Sequence, residues 1–148
     1  MDSITKLSFT LKIRGYIALL KLRLSSLVVM SAFFGFLLAD GNLSSFVFLN
    51  LILGGILITG SSNGFNQIIE YKTDELMTRT FSRPLPSKVL SIAEALTFCI
   101  FTGFLGLYLL ARINFSSFIL GLLAMVIYTV IYTPLKKITP FAVFIGAI

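Results

Sequence analysis

The sequence predicts an all-α fold, a multi-pass transmembrane helical bundle, and three observations lead to this prediction. Of the 148 residues, 57% are hydrophobic and only 12% are charged, whereas soluble domains carry about 25% charged residues. Four apolar stretches are each long enough to cross a bilayer as a helix, which takes about 20 residues. None of them alternates in polarity as the strands of a membrane barrel do. Lipid is therefore the expected solvent for most of the chain.

The predicted spans follow one another with short polar connections. They cover residues 21–39, 43–69, 89–111 and 115–133. Pro134 ends or bends the fourth span, because proline has no backbone N–H. A fifth apolar run, 141–148, is too short to cross a bilayer, so it is either a half-span or the start of a further helix. We expect the latter, which makes residues 1–148 a partial transmembrane domain whose C-terminal half is missing.

The positions of the basic residues predict the orientation of the spans. The net charge is +6, and every Lys and Arg except Arg112 lies before or at the start of the first span, within residues 70–88, or near Lys136. Cytoplasmic segments of membrane proteins carry the excess of Lys and Arg. The N-terminus and both later basic stretches are therefore predicted to be cytoplasmic, in a bacterial-type inner (cell) membrane. This distribution indicates contact with a membrane surface rather than with nucleic acid.

Three oxygen-bearing side chains, here called the ladder, lie at the cytoplasmic end of the second span. Asn66, Glu70 and Asp74 are four residues apart, a spacing that keeps them on one face of a helix. The chain has no His and a single Cys, so a bound metal must be held by oxygen. Two carboxylates at a membrane surface repel each other unless a cation lies between them, and Mg²⁺ commonly takes one or two carboxylates together with phosphate oxygens. The ladder therefore predicts a Mg²⁺ site.

Two arginines follow the ladder. Arg79 and Arg83 are again four residues apart, and they would extend near the ladder if the helix continued until Pro84 and Pro86 stop it. Forked guanidinium groups clamp phosphate oxygens, so the ladder and the arginines together suit a Mg²⁺-bound diphosphate. The alternative is a solvated loop tied by ion pairs, as runs of charge usually are. The beginning of the ladder inside an apolar span favours the site.

The longer string around the ladder resembles the UbiA superfamily of intramembrane prenyltransferases. The first acidic motif of that family is Asn-x3-Asp-x3-Asp, followed by Arg-Thr and Arg-Pro-Leu. The matching residues are Asn66, Glu70, Asp74, Arg79-Thr80 and Arg83-Pro84-Leu85, with Glu70 in place of an Asp. The resemblance implies that Asn66, Glu70 and Asp74 are catalytic and hold Mg²⁺, and that Arg79 and Arg83 bind the diphosphate of the substrate.

A second string, from Tyr132 to Pro140, resembles the branch of this superfamily that transfers a farnesyl group to protohaem IX. A Tyr-x3-Lys pair at this place helps to bind the diphosphate in the superfamily, which implies this role for Tyr132 and Lys136. Without the resemblance, they would be an interfacial aromatic and a topology-setting charge. The first helix of the family places a basic residue at the site, which implies a diphosphate-binding role for Arg23.

The resemblance implies farnesyl diphosphate and haem B as substrates, Mg²⁺ as cofactor, and a lipid bilayer as surroundings. Haem O would be the product. Two alternatives stay open: a UbiA-type enzyme that prenylates an aromatic acid or a quinone precursor, and a membrane transporter or assembly protein whose polar residues line a path. The resemblance covers only the first half of the family's length, and a second acidic motif of the family is absent. We therefore expect these 148 residues to be inactive alone.

Overall fold

The computed structural model describes residues 2–43, 45–136, 138 and 139. These residues form helices and turns without strands, which confirms the predicted all-α fold. The elements are α1 (Asp2–Leu20), α2 (Leu22–Leu38), α3 (Phe46–Glu75), α4 (Ile92–Ala111), α5 (Phe115–Val126), a π-helical segment (Ile127–Tyr132) and the short α6 (Thr133–Leu135). Four segments are long and apolar enough to cross a membrane, as predicted: Phe9–Leu38, Phe46–Glu75, Ile92–Ala111 and Phe115–Leu135. The predicted fifth run at 141–148 lies outside the described residues.

The first span begins earlier than predicted and contains one break. The candidate segment Phe9–Leu38 includes the end of α1 and so reaches back beyond Lys21, and it contains apolar residues such as the fully buried Leu19 among the cations of this part of the chain. The backbone of Lys21 adopts a left-handed conformation with φ of 44°, which interrupts the helix. Just beyond the break, the Oγ of Ser25 donates a hydrogen bond to the carbonyl oxygen of Leu20 at 2.8 Å. Lys21 is therefore held at the junction of α1 and α2.

Helix α3 is the longest element and contacts α1, α2, α4 and α5. The side chain of Ser45 caps its N-terminus by accepting a hydrogen bond from the backbone N–H of Phe48 at 3.1 Å. The 30 residues of α3 extend about 45 Å, which exceeds the roughly 30 Å of hydrocarbon in a bilayer. The helix ends at Glu75 instead of at Ile69, the predicted end of the span. The whole ladder therefore lies on one uninterrupted helix.

Small residues bring α3 and α4 close together. A Cβ atom added to Gly106 would lie 3.0 Å from the backbone nitrogen of Ile58 and 3.1 Å from the carbonyl oxygen of Gly54. A larger side chain at Gly106 would therefore push the helices apart. The Oγ of Ser61 also donates a hydrogen bond to the carbonyl oxygen of Cys99 at 2.7 Å. This close packing fixes the orientation of α3, and with it the direction in which the ladder faces.

The connection from α3 to α4 is not helical, so the helical continuation considered for Arg79 and Arg83 is wrong. The helix ends at Glu75, nine residues before Pro84, the first of the prolines that were expected to stop it. The hydroxyl of Thr80 donates a hydrogen bond to the carbonyl oxygen of Asp74 at 3.0 Å, and so satisfies one of the carbonyls that a helix end leaves open. The turns that follow direct Arg83 back toward the end of α3.

Helix α4 begins with a cap that is tied to α1. The Oγ of Ser91 accepts a hydrogen bond from the backbone N–H of Glu94, and the carboxylate of Glu94 accepts one from the backbone N–H of Ser91. The other carboxylate oxygen of Glu94 lies 2.5 Å from the Nζ of Lys12 on α1. This pair joins the N-terminal helix to the start of the third span.

The fourth span widens into a π-helical turn before Pro134. Because proline has no N–H, the carbonyl of Val130, four residues earlier, loses its α-helical partner, and a wider turn accommodates this loss. The hydroxyl of Thr133 donates to the carbonyl oxygen of Tyr128, five residues earlier, at 2.8 Å. The span consequently continues to Leu135, two residues beyond its predicted end.

Candidate active site

The three ladder residues lie along one face of α3, on the segment that runs out of the apolar layer. Asn66 and Asp74 are almost completely buried, and the side chain of Glu70 is 12% exposed. Burying a carboxylate costs several kcal/mol unless a cation or hydrogen-bond donors compensate it. The ladder therefore requires partners from other parts of the chain.

Both ladder carboxylates are paired with cations that are distant in sequence. The Nη1 of Arg83, from the connection after α3, lies 2.5 Å from the Oδ2 of Asp74. The Nζ of Lys136, just after α6, lies 3.0 Å from the Oε2 of Glu70 and donates to the Oδ1 of Asn66 at 3.1 Å. The structure thus brings together five of the predicted site residues: Asn66, Glu70, Asp74, Arg83 and Lys136.

Two stacked tyrosine rings lie beside Lys136. The rings of Tyr128 and Tyr132 have their centroids 5.1 Å apart, and the Nζ of Lys136 lies 5.5 Å from the centre of the Tyr132 ring. The cation of Lys136 is therefore in contact both with an aromatic ring and with ladder oxygens. Tyr132, which was predicted to bind diphosphate, contributes a half-buried ring beside Lys136.

Asn63 and Tyr128 lie about one helical turn before Asn66 and Tyr132, further into the membrane, and neither was predicted to belong to the site. The hydroxyl of Tyr128 donates to the Oδ1 of Asn63 at 3.4 Å, and Asn63 is buried. A signal existed in the spacing, because Asn63 lies three residues before Asn66 and Tyr128 lies four before Tyr132. Each continues the helix face of a residue that was already singled out.

Lys21, in the first span, lies within electrostatic reach of the ladder carboxylates. Lys21 is partly buried at the α1–α2 junction and interacts electrostatically with Glu70 and Asp74. It also lies within electrostatic reach of the cations Arg83 and Lys136. Arg23 is exposed on α2, and its guanidinium forms no ion pair with another described residue. The diphosphate-binding role predicted for Arg23 remains a prediction.

Arg79, the other arginine of the motif, does not contact the ladder. It is exposed, and its side chain forms no hydrogen bond or ion pair within the part of the chain that the structure describes. The early end of α3 explains this difference, because the turns after Glu75 direct Arg83 inward and leave Arg79 at the surface. The diphosphate-binding role of Arg79 therefore remains a prediction.

The donor chemistry of the ladder fits Mg²⁺ that arrives with a phosphate ligand. Among the described residues, no three His, Cys, Asp or Glu side chains form a group that would hold a metal. The ladder offers two carboxylates and one amide, and Mg²⁺ commonly binds to one or two carboxylates while water and phosphate oxygens complete its octahedron. These residues suit an open metal site rather than a closed cage of protein ligands.

Comparison with known proteins identifies the family. Residues 28–148 match the profile of the UbiA prenyltransferase family. The chain belongs to this family. The match includes the ladder, Arg79, Arg83, Tyr132 and Lys136, and it confirms the resemblance that the sequence motifs indicated. The UbiA family is a family of prenyltransferases with a membrane helical fold, in agreement with the four spans described above.

Three curated relatives have the same name. A protoheme IX farnesyltransferase of Cytophaga hutchinsonii is 41% identical over 136 residues, which are 90% of this chain and 48% of the relative. A protein of that name from Flavobacterium psychrophilum is 42% identical over 123 residues, 81% of this chain and 41% of the relative. The mitochondrial protoheme IX farnesyltransferase of Arabidopsis thaliana is 38% identical over 138 residues, 91% of this chain and 32% of the relative. The chain thus spans less than half the length of these relatives, and no solved structure matches it.

Proposed function

We propose that this chain provides the first acidic motif and the diphosphate-binding cations of a membrane enzyme that transfers a farnesyl group from farnesyl diphosphate to haem B. The observation that supports this most strongly is the convergence of three cations, from three separate segments, on a buried ladder with two carboxylates. Lys21 comes from the α1–α2 junction, Arg83 from the connection after α3, and Lys136 from the end of α6. A diphosphate requires this combination of cations beside acidic metal ligands.

In the proposed reaction, Asn66, Glu70 and Asp74 would hold Mg²⁺. When bound, the metal ion neutralises diphosphate oxygens and so assists the departure of the diphosphate. Arg83 and Lys136 lie beside the ladder, where their charges stabilise the negative charge that grows as the bond between C1 and oxygen breaks. The electron pair of that bond leaves with the diphosphate, and an allylic farnesyl cation remains.

The haem-side chemistry balances with a single water molecule. A vinyl group of haem B attacks C1 of the farnesyl cation and forms the new carbon–carbon bond, which leaves a cation on the carbon next to the porphyrin ring. Water adds to this carbon and loses one proton, which gives the hydroxyethylfarnesyl side chain of haem O. The apolar helices around the ladder limit the access of bulk water, which would otherwise capture the farnesyl cation.

The proposed enzyme lies in a bacterial-type inner membrane with its N-terminus and the connection at 76–91 in the cytoplasm. This orientation rests on the positive-inside rule, because Lys12, Arg79, Arg83 and Lys88 lie at the same end of the described spans. The prenyl chain enters sideways from the bilayer, while its diphosphate meets the ladder at the cytoplasmic surface. Inaccessibility of a cysteine introduced at Thr78 to a charged thiol reagent added from the cytoplasmic side would contradict this orientation.

The decisive assay supplies the purified full-length protein with radiolabelled farnesyl diphosphate and Mg²⁺, and offers haem B and an aromatic acid in parallel. We expect label on haem B only. Label on the aromatic acid alone would establish the other UbiA-type activity. Absence of both products, together with absence of Mg²⁺-dependent diphosphate release, would favour a transporter or an assembly protein.

A matched pair of variants assigns the activity to the ladder. Asp74→Asn removes one charge from the ladder, and Glu75→Gln removes one charge from the exposed neighbouring position. We expect Asp74→Asn to lower the transfer rate by roughly 10²–10³-fold, whereas Glu75→Gln keeps nearly full activity. Both variants should insert into the membrane at wild-type levels. Full activity of Asp74→Asn would refute the proposed site.

A further inference from the structure

We infer that Lys136 and Arg83 pair with the ladder only in the ligand-free protein, and that a metal-bound diphosphate displaces them from it. In the ligand-free protein these cations neutralise the ladder, whereas in the loaded protein the metal takes the ladder oxygens and the two cations turn to the diphosphate. The inference rests on the diphosphate site of the proposed function. It adds a rule for binding: the metal ion binds well only together with the diphosphate.

The ammonium group of Lys136 already contacts ladder oxygens. Its Nζ lies 3.0 Å from the Oε2 of Glu70 and 3.1 Å from the Oδ1 of Asn66, and thus contacts two of the three ladder side chains at once. Arg83 contacts the third, Asp74. Mg²⁺ binds oxygen at about 2.0–2.1 Å, so it would have to take the place that the ammonium group occupies between these oxygens. Metal binding therefore breaks ion pairs that are already formed.

The positive charges at the ladder outnumber the negative ones. Arg83 and Lys136 are paired with the carboxylates of Asp74 and Glu70, and Lys21 lies within electrostatic reach of both, so the three cations exceed the two carboxylates by one positive charge. A bare Mg²⁺ ion would raise this excess to three in surroundings of low dielectric. A fully ionised prenyl diphosphate carries three negative charges and would return the whole group to neutrality. The metal alone is therefore disfavoured, and the metal with its diphosphate is favoured.

In the ligand-free protein, the side chains of Lys136 and Arg83 occupy the ladder oxygens. The Nζ of Lys136 contacts oxygens of Glu70 and Asn66, and the Nη1 of Arg83 contacts Asp74, so the two side chains already occupy one oxygen of each ladder residue. The ring of Tyr132 lies 5.5 Å from the Nζ of Lys136, so the ammonium group keeps an aromatic contact when it leaves the ladder. A flexible lysine chain suits such a movement.

The test measures metal binding without substrate. Mn²⁺ replaces Mg²⁺ as a paramagnetic probe, and its binding to the full-length protein in nanodiscs is followed by electron paramagnetic resonance. We expect Lys136→Met to bind Mn²⁺ about tenfold more tightly than the wild type in the absence of diphosphate. The same variant should bind Mg²⁺-bound farnesyl thiodiphosphate, an analogue that ionises slowly, about tenfold more weakly. A purely structural role of Lys136 would weaken both.

Two controls complete the design. Lys12→Met removes the other lysine that is paired with a glutamate, and it should leave both affinities unchanged. In the background of Glu70→Gln, the gain in Mn²⁺ affinity from Lys136→Met should largely disappear, because Lys136 no longer competes for that carboxylate. Lys136→Gln repeats the measurement with a shorter polar side chain in case Lys136→Met folds poorly.

The outcomes separate this inference from the proposed function. Unchanged or weaker Mn²⁺ binding by both Lys136 variants, in a wild-type protein that transfers farnesyl to haem B, would overturn the exchange and leave the function standing. Opposite shifts in the two affinities, in a protein that transfers nothing to haem B, would support the exchange and refute the proposed acceptor.

Discussion

Two lysine–glutamate ion pairs in this protein have similar chemistry and different surroundings. The pair of Lys12 and Glu94 is the shorter, at 2.5 Å, but its side chains are 45% and 34% exposed. The pair of Lys136 and Glu70 is longer, at 3.0 Å, and its side chains are 29% and 12% exposed. The shorter pair is thus the more exposed one, so the distance between two charges does not show how far an ion pair is withdrawn from water.

The neighbours of the two pairs differ most. Around Glu94 the further partners are the N–H and hydroxyl groups of Ser91, which cap a helix. Around the pair of Lys136 and Glu70, the further groups are the buried amide of Asn66, the stacked rings of Tyr128 and Tyr132, and the cation of Lys21 within electrostatic reach. The first set completes the local structure. The second holds more positive charge than its carboxylates need, and this excess is what an anionic substrate would use.

The largest expected effect compares the two glutamates directly. Glu70→Gln should lower the rate of farnesyl transfer by roughly 10²–10³-fold, because it removes a proposed metal ligand and leaves Lys136 without its carboxylate. Glu94→Gln should change the rate by no more than about twofold, since it alters only an exposed pair and a cap. Initial rates with saturating haem B give both values. Similar losses in the two variants would abolish the distinction between the pairs.

The next effect compares the two arginines of the motif. Arg83→Gln should lower the transfer rate by about 100-fold, because Arg83 contacts Asp74 within the ladder. Arg79→Gln should lower it less, because Arg79 is exposed and does not reach the ladder. The Michaelis constant for farnesyl diphosphate and the turnover number are measured for each. A greater loss in Arg79→Gln would show that the connection at 76–91 rearranges when substrate binds.

A smaller effect compares the two cations of the first span. Lys21→Gln should weaken the binding of farnesyl diphosphate by about tenfold, because Lys21 lies within electrostatic reach of Glu70 and Asp74. Arg23→Gln should leave binding nearly unchanged, because Arg23 is exposed on α2. Titration with the thiodiphosphate analogue at two salt concentrations measures this. The reverse order would restore the original prediction for Arg23.

The smallest effect concerns the hydrogen bond between Tyr128 and Asn63. Tyr128→Phe keeps the stacked ring and removes the hydroxyl that donates to Asn63 across 3.4 Å. The loss in transfer rate should be about threefold, as expected for one weak neutral hydrogen bond. Tyr128→Leu, which also removes the ring, should cost more. Equal rates in the two variants would exclude a contribution from the stacked ring.

The spans and the ladder could be predicted from the sequence because both follow from local rules. Hydropathy gives the length of a membrane helix, and a spacing of four residues gives a shared helix face. The four spans are confirmed, and Asn66, Glu70 and Asp74 lie along one face of α3, as the spacing requires. Arg83 was expected near the ladder from its spacing and charge, whereas Lys136 was inferred from the resemblance. No local rule could pair Lys136 with Glu70, since that contact depends on how α5 packs against α3.

The errors have identifiable physical causes. Two prolines suggested where a helix would stop, but the hydroxyl of Thr80 binds the carbonyl of Asp74 and the helix ends earlier. The left-handed backbone at Lys21 lies at a residue type that rarely adopts it, so the break in the first span had no local signal.

The wide turn at Ile127–Tyr132 sets the rotational register of everything that follows it. In an α-helix each residue advances the chain by about 100°, so a single residue more or less before Thr133 would swing the end of the span by about that angle. Lys136 would then point away from Glu70 although every side chain in the region was still present. A one-residue deletion within this turn is therefore expected to separate Lys136 from the ladder more completely than most substitutions there.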